Sequence, residues 1–308
     1  MLAISIGDIN GVGIEIALRA HKYISRFCTP HYIVHRELVE SASALLGLEV
    51  PSDMRCVASF EARELSRLIE PSSISARSGA YSFESFMEGV RRTHSGEFQA
   101  LVTLPIHKAA WAKAGIESIG HTDALRAYFG RDSIMMLGTQ AMFVALFSDH
   151  IALREVSECV SERSVREFLL AFARCVNLSE PCCVLGLNPH CGDEGLMGDE
   201  DSHISAAVKG ANRELGRELF FGAYPPDSAF APHNRARFRF YVSMYHDVGL
   251  APLKALYFEE SINVSLNLPI LRTSVDHGVA FDRAYGRGEA VSLTSYINAV
   301  KYALDRQA

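Results

Sequence analysis

The sequence predicts an α/β protein built on a mainly parallel sheet. Short apolar runs alternate with helix-like patterns from one end of the chain to the other, the signature of strands joined by crossover helices. At 308 residues the chain exceeds what one hydrophobic core comfortably fills, which predicts two lobes. Its 48% hydrophobic and 21% charged residues describe a packed chain and exclude a disordered one.

The elements follow in order. "LAISI" reads as the first strand, "GDINGVG" as a turn and "IEIALRAHKY" as a helix. Gly7, Gly11 and Gly13 are spaced G-x-x-x-G-x-G. This is neither the G-x-G-x-x-G dinucleotide fingerprint nor a P-loop, so a tight strand-to-helix turn is the expected reason for them. "ALVTL", "MFVALF", "CCVLGLN" and "FRFYVSM" read as further strands. Val165, Phe168, Leu169, Phe172, Ala173 and Val176 recur at helical spacing, the apolar stripe of a helix packed on a sheet. Ser164, three residues before Glu167, is expected to close that helix's capping box.

The formal charge of -6 and the lack of any Lys/Arg run argue against a nucleic-acid partner, whose phosphates demand clustered cations. The N-terminus lacks a basic leader and no apolar run approaches the length of a membrane span. A cytoplasmic protein without a membrane partner is expected. Seven cysteines, an odd number scattered through core-like runs, suit reduced buried thiols better than a disulfide framework. Cys191 stands apart because His190 precedes it.

Three histidines share one context: His150 follows "MFVALFSD", His190 follows "CCVLGLNP" and His246 follows "FRFYVSMY". Loops at the C-terminal ends of parallel strands converge on ligands. Three imidazoles meeting there would make a divalent metal site with positions left for substrate. Each histidine taken alone reads better as an ordinary polar loop residue, and it is the repeated context that points to a shared site. Further polar groups follow strands: His107 and Lys108 in "VTLPIHK", and His121 and Thr122 in "GHTD" at a helix start suited to an anion. Lys254, Asn263 and Arg272 lie nine residues apart amid apolar neighbours. Buried cations there need an anionic partner, with extension of the side chain to water as the alternative.

The motifs "GDINGVGIEI", "VTLPIHK", "GHTD", "LGLNPHCGDEGLMG", "YPPDSAF", "MYHDVGLAPLK" and "NLPILRTSVDHGVAFD" run in this order from residue 7 to residue 282. In them the chain resembles the 4-hydroxythreonine-4-phosphate dehydrogenase family of pyridoxal phosphate biosynthesis. The resemblance implies two α/β/α lobes with a cleft between them, as in isocitrate and isopropylmalate dehydrogenases. The expected lobes are residues 1–117 with 276–308, and 118–275, the second carrying most metal and substrate residues. It further implies a homodimer with its active site at the subunit interface and metal ligands drawn from both subunits.

Carried over by motif, His150, His190 and His246 would hold a divalent ion, zinc, cobalt or magnesium. His121, Thr122, Asp227, Lys254, Asn263 and Arg272 would contact a phosphorylated substrate. Lys254 and Asp247 would serve catalysis, Asp247 by orienting the metal site. Asp276, His277 and Gly278 would contact NAD or NADP. The implied reaction is oxidation of 4-phosphooxy-L-threonine to 2-amino-3-oxo-4-phosphooxybutyrate, which decarboxylates to 3-amino-2-oxopropyl phosphate. Other readings are a same-fold dehydrogenase of another phosphorylated hydroxy acid, such as a phosphoerythronate, and a three-histidine zinc hydrolase. Two stretches depart from the family pattern. "GDINGVGIE" replaces the usual Gly-Glu-Pro-Ala-Gly-Ile-Gly-Pro-Glu, and "DRAYGRGEA" is one residue longer than the common form, which leaves the choice between NAD and NADP open.

Overall fold

The computed structural model describes residues 1–286 and 288–306, so Arg287 of "DRAYGRGEA" lies outside the described residues. Contacts divide the chain into two compact units, Met1–Ser133 with Ile262–Ala308, and Ile134–Ser261. In the first unit β1 (Leu2–Ser5) leads into α1 (Gly13–Ile24), β2 (Pro30–Ile33), α2 (Arg36–Leu46), β3 (Arg55–Cys56), α3 (Ala76–His94), β4 (Ala100–Thr103), α4 (Lys108–Lys113) and α5 (His121–Phe129). The second unit runs through β5 (Ile134–Thr139), β6 (Met142–Leu146), α6 (Leu153–Cys159), α7 (Glu162–Val176), β7 (Cys182–Leu185) and α8 (Glu200–Leu215). It continues with β8 (Phe220–Tyr224), α9 (Pro226–Ala229), α10 (Pro232–Arg237), β9 (Phe240–Ser243) and α11 (His246–Tyr257). The chain then returns to the first unit with β10 (Ile262–Leu266), β11 (Arg272–Val275) and α12 (Thr294–Asp305).

In the first unit the strand order is β3-β2-β1-β4-β11-β10, parallel except for the β10–β11 pair. Period-two alternation sorts its side chains. Ala3, Ile33 and Leu101 pack with Phe86 and Val90 of α3, Trp111 of α4 and Leu125 of α5. On the opposite face Thr273 donates to the Ala299 carbonyl of α12 at 3.0 Å, so helices cover both sides. The turn after β1 passes against the end of β4. Gly7 has φ +72, and a Cβ there would lie 2.3 Å from the Pro105 carbonyl oxygen, so only glycine fits.

The sequence places the second lobe at 118–275, whereas contacts place the second unit at Ile134–Ser261. The difference has a physical reason. β11 pairs in parallel with β4, with Arg272 opposite Leu101, and β10 pairs with β11. Asn263 and Arg272 therefore belong to the first unit with their strands, and His121 and Thr122 join it through α5, whose Leu125 packs into the same core.

The second unit orders its strands β5-β6-β9-β7-β8, with β5 antiparallel to β6 and the other four parallel. Val144, Leu146, Tyr241, Cys183 and Leu185 form one core face with Leu250 and Leu253 of α11. Phe240 meets Phe172 of α7 on the other face. The predicted α7 stripe is found, with Phe168 half-buried against Phe147. Its cap differs from expectation. Ser161 and Ser164 form the capping box, because the helix starts at Glu162, one turn earlier than "S-x-x-E" suggests, and Glu167 instead pairs with Arg163 at 2.9 Å. Among the described residues no helix is long and apolar enough to cross a membrane.

Candidate active site

In the second unit β6, β9, β7 and β8 are consecutive parallel neighbours, so their C-terminal ends share one edge. His150 follows β6, His246 opens α11 after β9, His190 follows β7, and Asp227 opens α9 after β8. Sheet topology thus gathers four predicted site residues that are far apart in sequence. The His150 and His246 rings stand 5.8 Å apart. His190 lies on the next strand's loop, exposed and with φ 52. Among the described residues no three His, Cys, Asp or Glu groups gather closely enough to hold a metal ion. One chain therefore joins two of the three predicted ligands.

Asp247 Oδ1 accepts a hydrogen bond from His246 Nδ1 at 2.7 Å. This fixes the Nδ1–H tautomer and leaves Nε2 as a bare donor atom, the state a metal-binding imidazole requires. The donor chemistry of this pair suits a divalent ion. Lys254 sits in the last turn of α11, half-buried, with Nζ 5.3 Å from the Phe258 ring centroid. Eight residues separate it from His246, about 12 Å along the helix axis. Asp227 is exposed and its charge acts on Cys191. The Cys191 thiol is pushed up to about 11, chiefly by burial, so it is a protonated thiol at neutral pH and an unreactive neighbour.

The first unit holds a different kind of site. Arg272 is 3% exposed, yet all its hydrogen bonds go to neutral groups. Nε and Nη2 donate to Thr103 Oγ1 at 3.0 and 2.7 Å, Nη1 to Ser265 Oγ at 3.1 Å, and Nη2 to His121 Nδ1 at 3.0 Å. Burial pushes the guanidinium down to about 9, still charged at neutral pH. Burial and then the Arg272 charge hold His121 well below the usual imidazole value, so it is neutral. Because Arg272 donates to Nδ1, the proton of His121 sits on Nε2, which has no hydrogen-bond partner among the described residues. Its ring packs 4.5 Å from Phe86 and 5.6 Å from Trp111. Asn263 pairs across the strands with Ser274, and its Oδ1 is likewise buried without a partner. Thr122 is half-buried beside His121 in α5. A buried cation, an unsatisfied N–H donor and an amide together suit an anion with several oxygens.

Asp276, His277 and Gly278 lie just past β11, at the edge where β1 and β4 also end. The loops there are knitted together. The Val279 carbonyl accepts from Val12 N at 3.1 Å, and His107 stacks on Phe281 at 5.1 Å. Nothing stands within 4 Å of where a Gly278 Cβ would be, so packing leaves room for a ligand against the backbone. Strand order reverses between β1 and β4, a switch point where α/β sheets bind cofactors. These residues fit a nicotinamide dinucleotide by position.

Reading by sequence misses Thr103, Ser265 and Asp8. Thr103 ends β4 directly before "LPIHK", and Ser265 shares a face with Asn263 at period two; that alternation is the signal that could have found it. Asp8 is fully buried, and burial raises its carboxyl above the usual range. A helix-leading "GD" carries no sign of that.

A family model described as pyridoxal phosphate biosynthetic protein PdxA matches residues 26–303. The chain is 49% identical over 305 residues to 4-hydroxythreonine-4-phosphate dehydrogenase of Sulfurimonas denitrificans, covering 98% of this chain and 96% of that protein. It is 50% identical over 307 residues to the enzyme so named in Campylobacter fetus, covering 98% and 97%. The crystal structure of 4-hydroxythreonine-4-phosphate dehydrogenase from Klebsiella pneumoniae matches with a TM-score of 0.82 at 27% identity, covering 98% of this chain and 96% of that one.

Proposed function

The chain belongs to the PdxA family of pyridoxal phosphate biosynthetic proteins, and on that premise we propose that it is a 4-hydroxythreonine-4-phosphate dehydrogenase. It oxidises the 3-hydroxyl of 4-phosphooxy-L-threonine, and the resulting 3-oxo acid loses carbon dioxide to give 3-amino-2-oxopropyl phosphate. The observation that carries this reading is Arg272, a buried cation whose partners are all neutral, beside an unsatisfied His121 N–H. An anionic substrate resolves both.

In this reading Arg272, His121, Thr122 and Asn263 bind and orient anionic oxygens of the substrate, and Lys254 and Asp227 make further contacts. His121 acts as a fixed donor, because its Nδ1 already accepts from Arg272. Orientation by prebuilt donors lowers the barrier without covalent chemistry. Asp276, His277 and Gly278 contact NAD or NADP. His150, His190 and His246 hold a zinc, cobalt or magnesium ion, and Asp247 orients His246. When bound, the ion acidifies an alcohol and the nicotinamide accepts hydride.

The working form is a homodimer in the cytoplasm. What supports a second copy is the incomplete histidine set together with exposed apolar residues close to it in sequence. Leu153, three residues after His150, and Leu196, six residues after His190, are 66% and 83% exposed. Exposed apolar groups beside a site favour a protein interface. The test is reduction of NAD or NADP by 4-phosphooxy-L-threonine in metal-replete protein, run against a panel of other phosphorylated hydroxy acids. Turnover with that substrate ahead of the panel supports the reading. Absence of cofactor reduction, or a clear preference for a phosphoerythronate, contradicts it.

A further inference from the structure

We infer that Asp201 is a positioning residue for metal binding through His190: its buried carboxylate clasps the backbone turn that carries the imidazole. The inference rests on the reading above that His190 is a ligand. Asp201 lies in the first turn of α8 and is 3% exposed. Its Oδ1 accepts from Leu187 N at 2.8 Å, and its Oδ2 accepts from Asn188 N and Asn188 Nδ2, both at 3.0 Å. Asn188 Nδ2 also donates to Glu200 Oε2 at 2.7 Å. Three N–H donors converge on one carboxyl group, whose two oxygens accept from all of them.

The surrounding sequence is shaped to this contact. A Cβ on Gly186, the first residue past β7, would stand 2.4 Å from Asp201 Oδ1, so the glycine leaves the space that the carboxylate fills. From Asn188 the chain passes directly to Pro189 and His190, and Cys191 N donates back to the Asn188 carbonyl at 3.0 Å. His190, Cys191, Asp193 and Glu194 then take φ values of 52, 56, 45 and 59. Left-handed conformations are disfavoured for residues with side chains and persist where the surroundings hold them. Asp201 anchors the point from which this strained run departs.

Its bearing on the metal follows from a contrast between two histidines. The His246 ring is oriented by its own bond to Asp247. The His190 ring is exposed and, among the described residues, has no such partner. The position of its Cβ, and so the region its ring can reach, is therefore set by its backbone, which the clasp anchors.

The test measures zinc binding to the metal-stripped full-length protein by equilibrium dialysis, beside thermal unfolding of the same metal-free samples. Asp201→Asn keeps the shape but turns an N–H donor toward backbone N–H groups. It is expected to weaken zinc binding about tenfold, as loss of a ligand's supporting partner does, while the metal-free protein remains folded by circular dichroism. Asp201→Glu, which restores the charge, is expected to recover part of that loss. Unchanged zinc affinity in a folded Asp201→Asn protein overturns the proposal. Should that variant fail to fold, Asp201→Ala takes its place, since it removes every acceptor of the clasp and adds no donor; parental zinc affinity in that folded protein then overturns the proposal. His190→Ala is measured in parallel. Full zinc affinity in His190→Ala sinks the ligand assignment itself, an outcome distinct from failure of the clasp.

Discussion

Arg272 and His246 represent two ways of preparing a polar group for a ligand. Arg272 lies in β11, 3% exposed, and three neutral side chains fix its guanidinium. The His246 side chain is 41% exposed and is fixed by one carboxylate that is itself 85% exposed. The first group is preorganised by burial, and its desolvation is a standing cost that an anion relieves. The second is oriented within the chain yet, among the described residues, stands in no group of three possible metal donors. A strand carries one and the first turn of a helix carries the other. A sheet fixes a buried cation through its own side chains, whereas the strand-end histidine is fixed only by its neighbour in sequence.

The comparison breaks most visibly at Arg272. Arg272→Ala is expected to remove about 2 to 5 kcal/mol of substrate binding, read as a rise in substrate Kd with cofactor Kd nearly unchanged. Loss of cofactor binding with substrate untouched would move Arg272 to the cofactor. His190→Ala and His246→Ala come next. Each is expected to lower metal affinity more than about 100-fold, beyond what loss of a supporting partner costs, and activity with it, while thermal midpoints of the metal-free proteins hold because His190 is exposed and His246 half-exposed. Full metal content in either variant would remove that residue from the site. Asp247→Ala is expected to cost less, about 10- to 100-fold in metal affinity, because the imidazole remains but its tautomer is no longer fixed.

The smallest effect sharpens the buried half of the comparison. His121 is held below its ordinary value of 6.5, so the unfolded chain binds its proton first. Its contribution to stability is present above pH 6.5 and is lost as pH falls from there toward the folded-state value. The loss is about 1.4 kcal/mol for each full pH unit in that range. Denaturant midpoints at pH 8 and pH 5.5 are expected to separate more in the parent than in His121→Asn. Equal separations would show that His121 is not buried neutral.

Much of this was legible beforehand. Apolar runs and their alternation give the strands, and the shared "strand then histidine" context of His150, His190 and His246 gives one sheet edge once β6, β9 and β7 prove parallel neighbours. What stayed hidden depends on pairing between distant segments. Nothing local says that β11 lies beside β4, so the unit boundary and the Thr103–Arg272 contact escape sequence reading. The Ser161 cap escaped because two serines three residues apart can cap one another as well as a serine and a glutamate can. Asp201 was hidden because two of its three donors are backbone N–H groups, which leave no pattern in side chains.

The claim that the histidine edge is finished by a second copy is tested most directly by mixing subunits. His190→Ala and His246→Ala proteins, each nearly inactive alone, are co-refolded and assayed for NAD or NADP reduction and for zinc content. If His190 and His246 of one site come from different chains, a mixed dimer has one site carrying both losses and one intact. Activity and zinc are then expected to return in part, up to one working site per mixed dimer. If each chain supplies its own set, every site in the mixed dimer is damaged. Absence of rescue, with mixed dimers shown to form, would contradict the account.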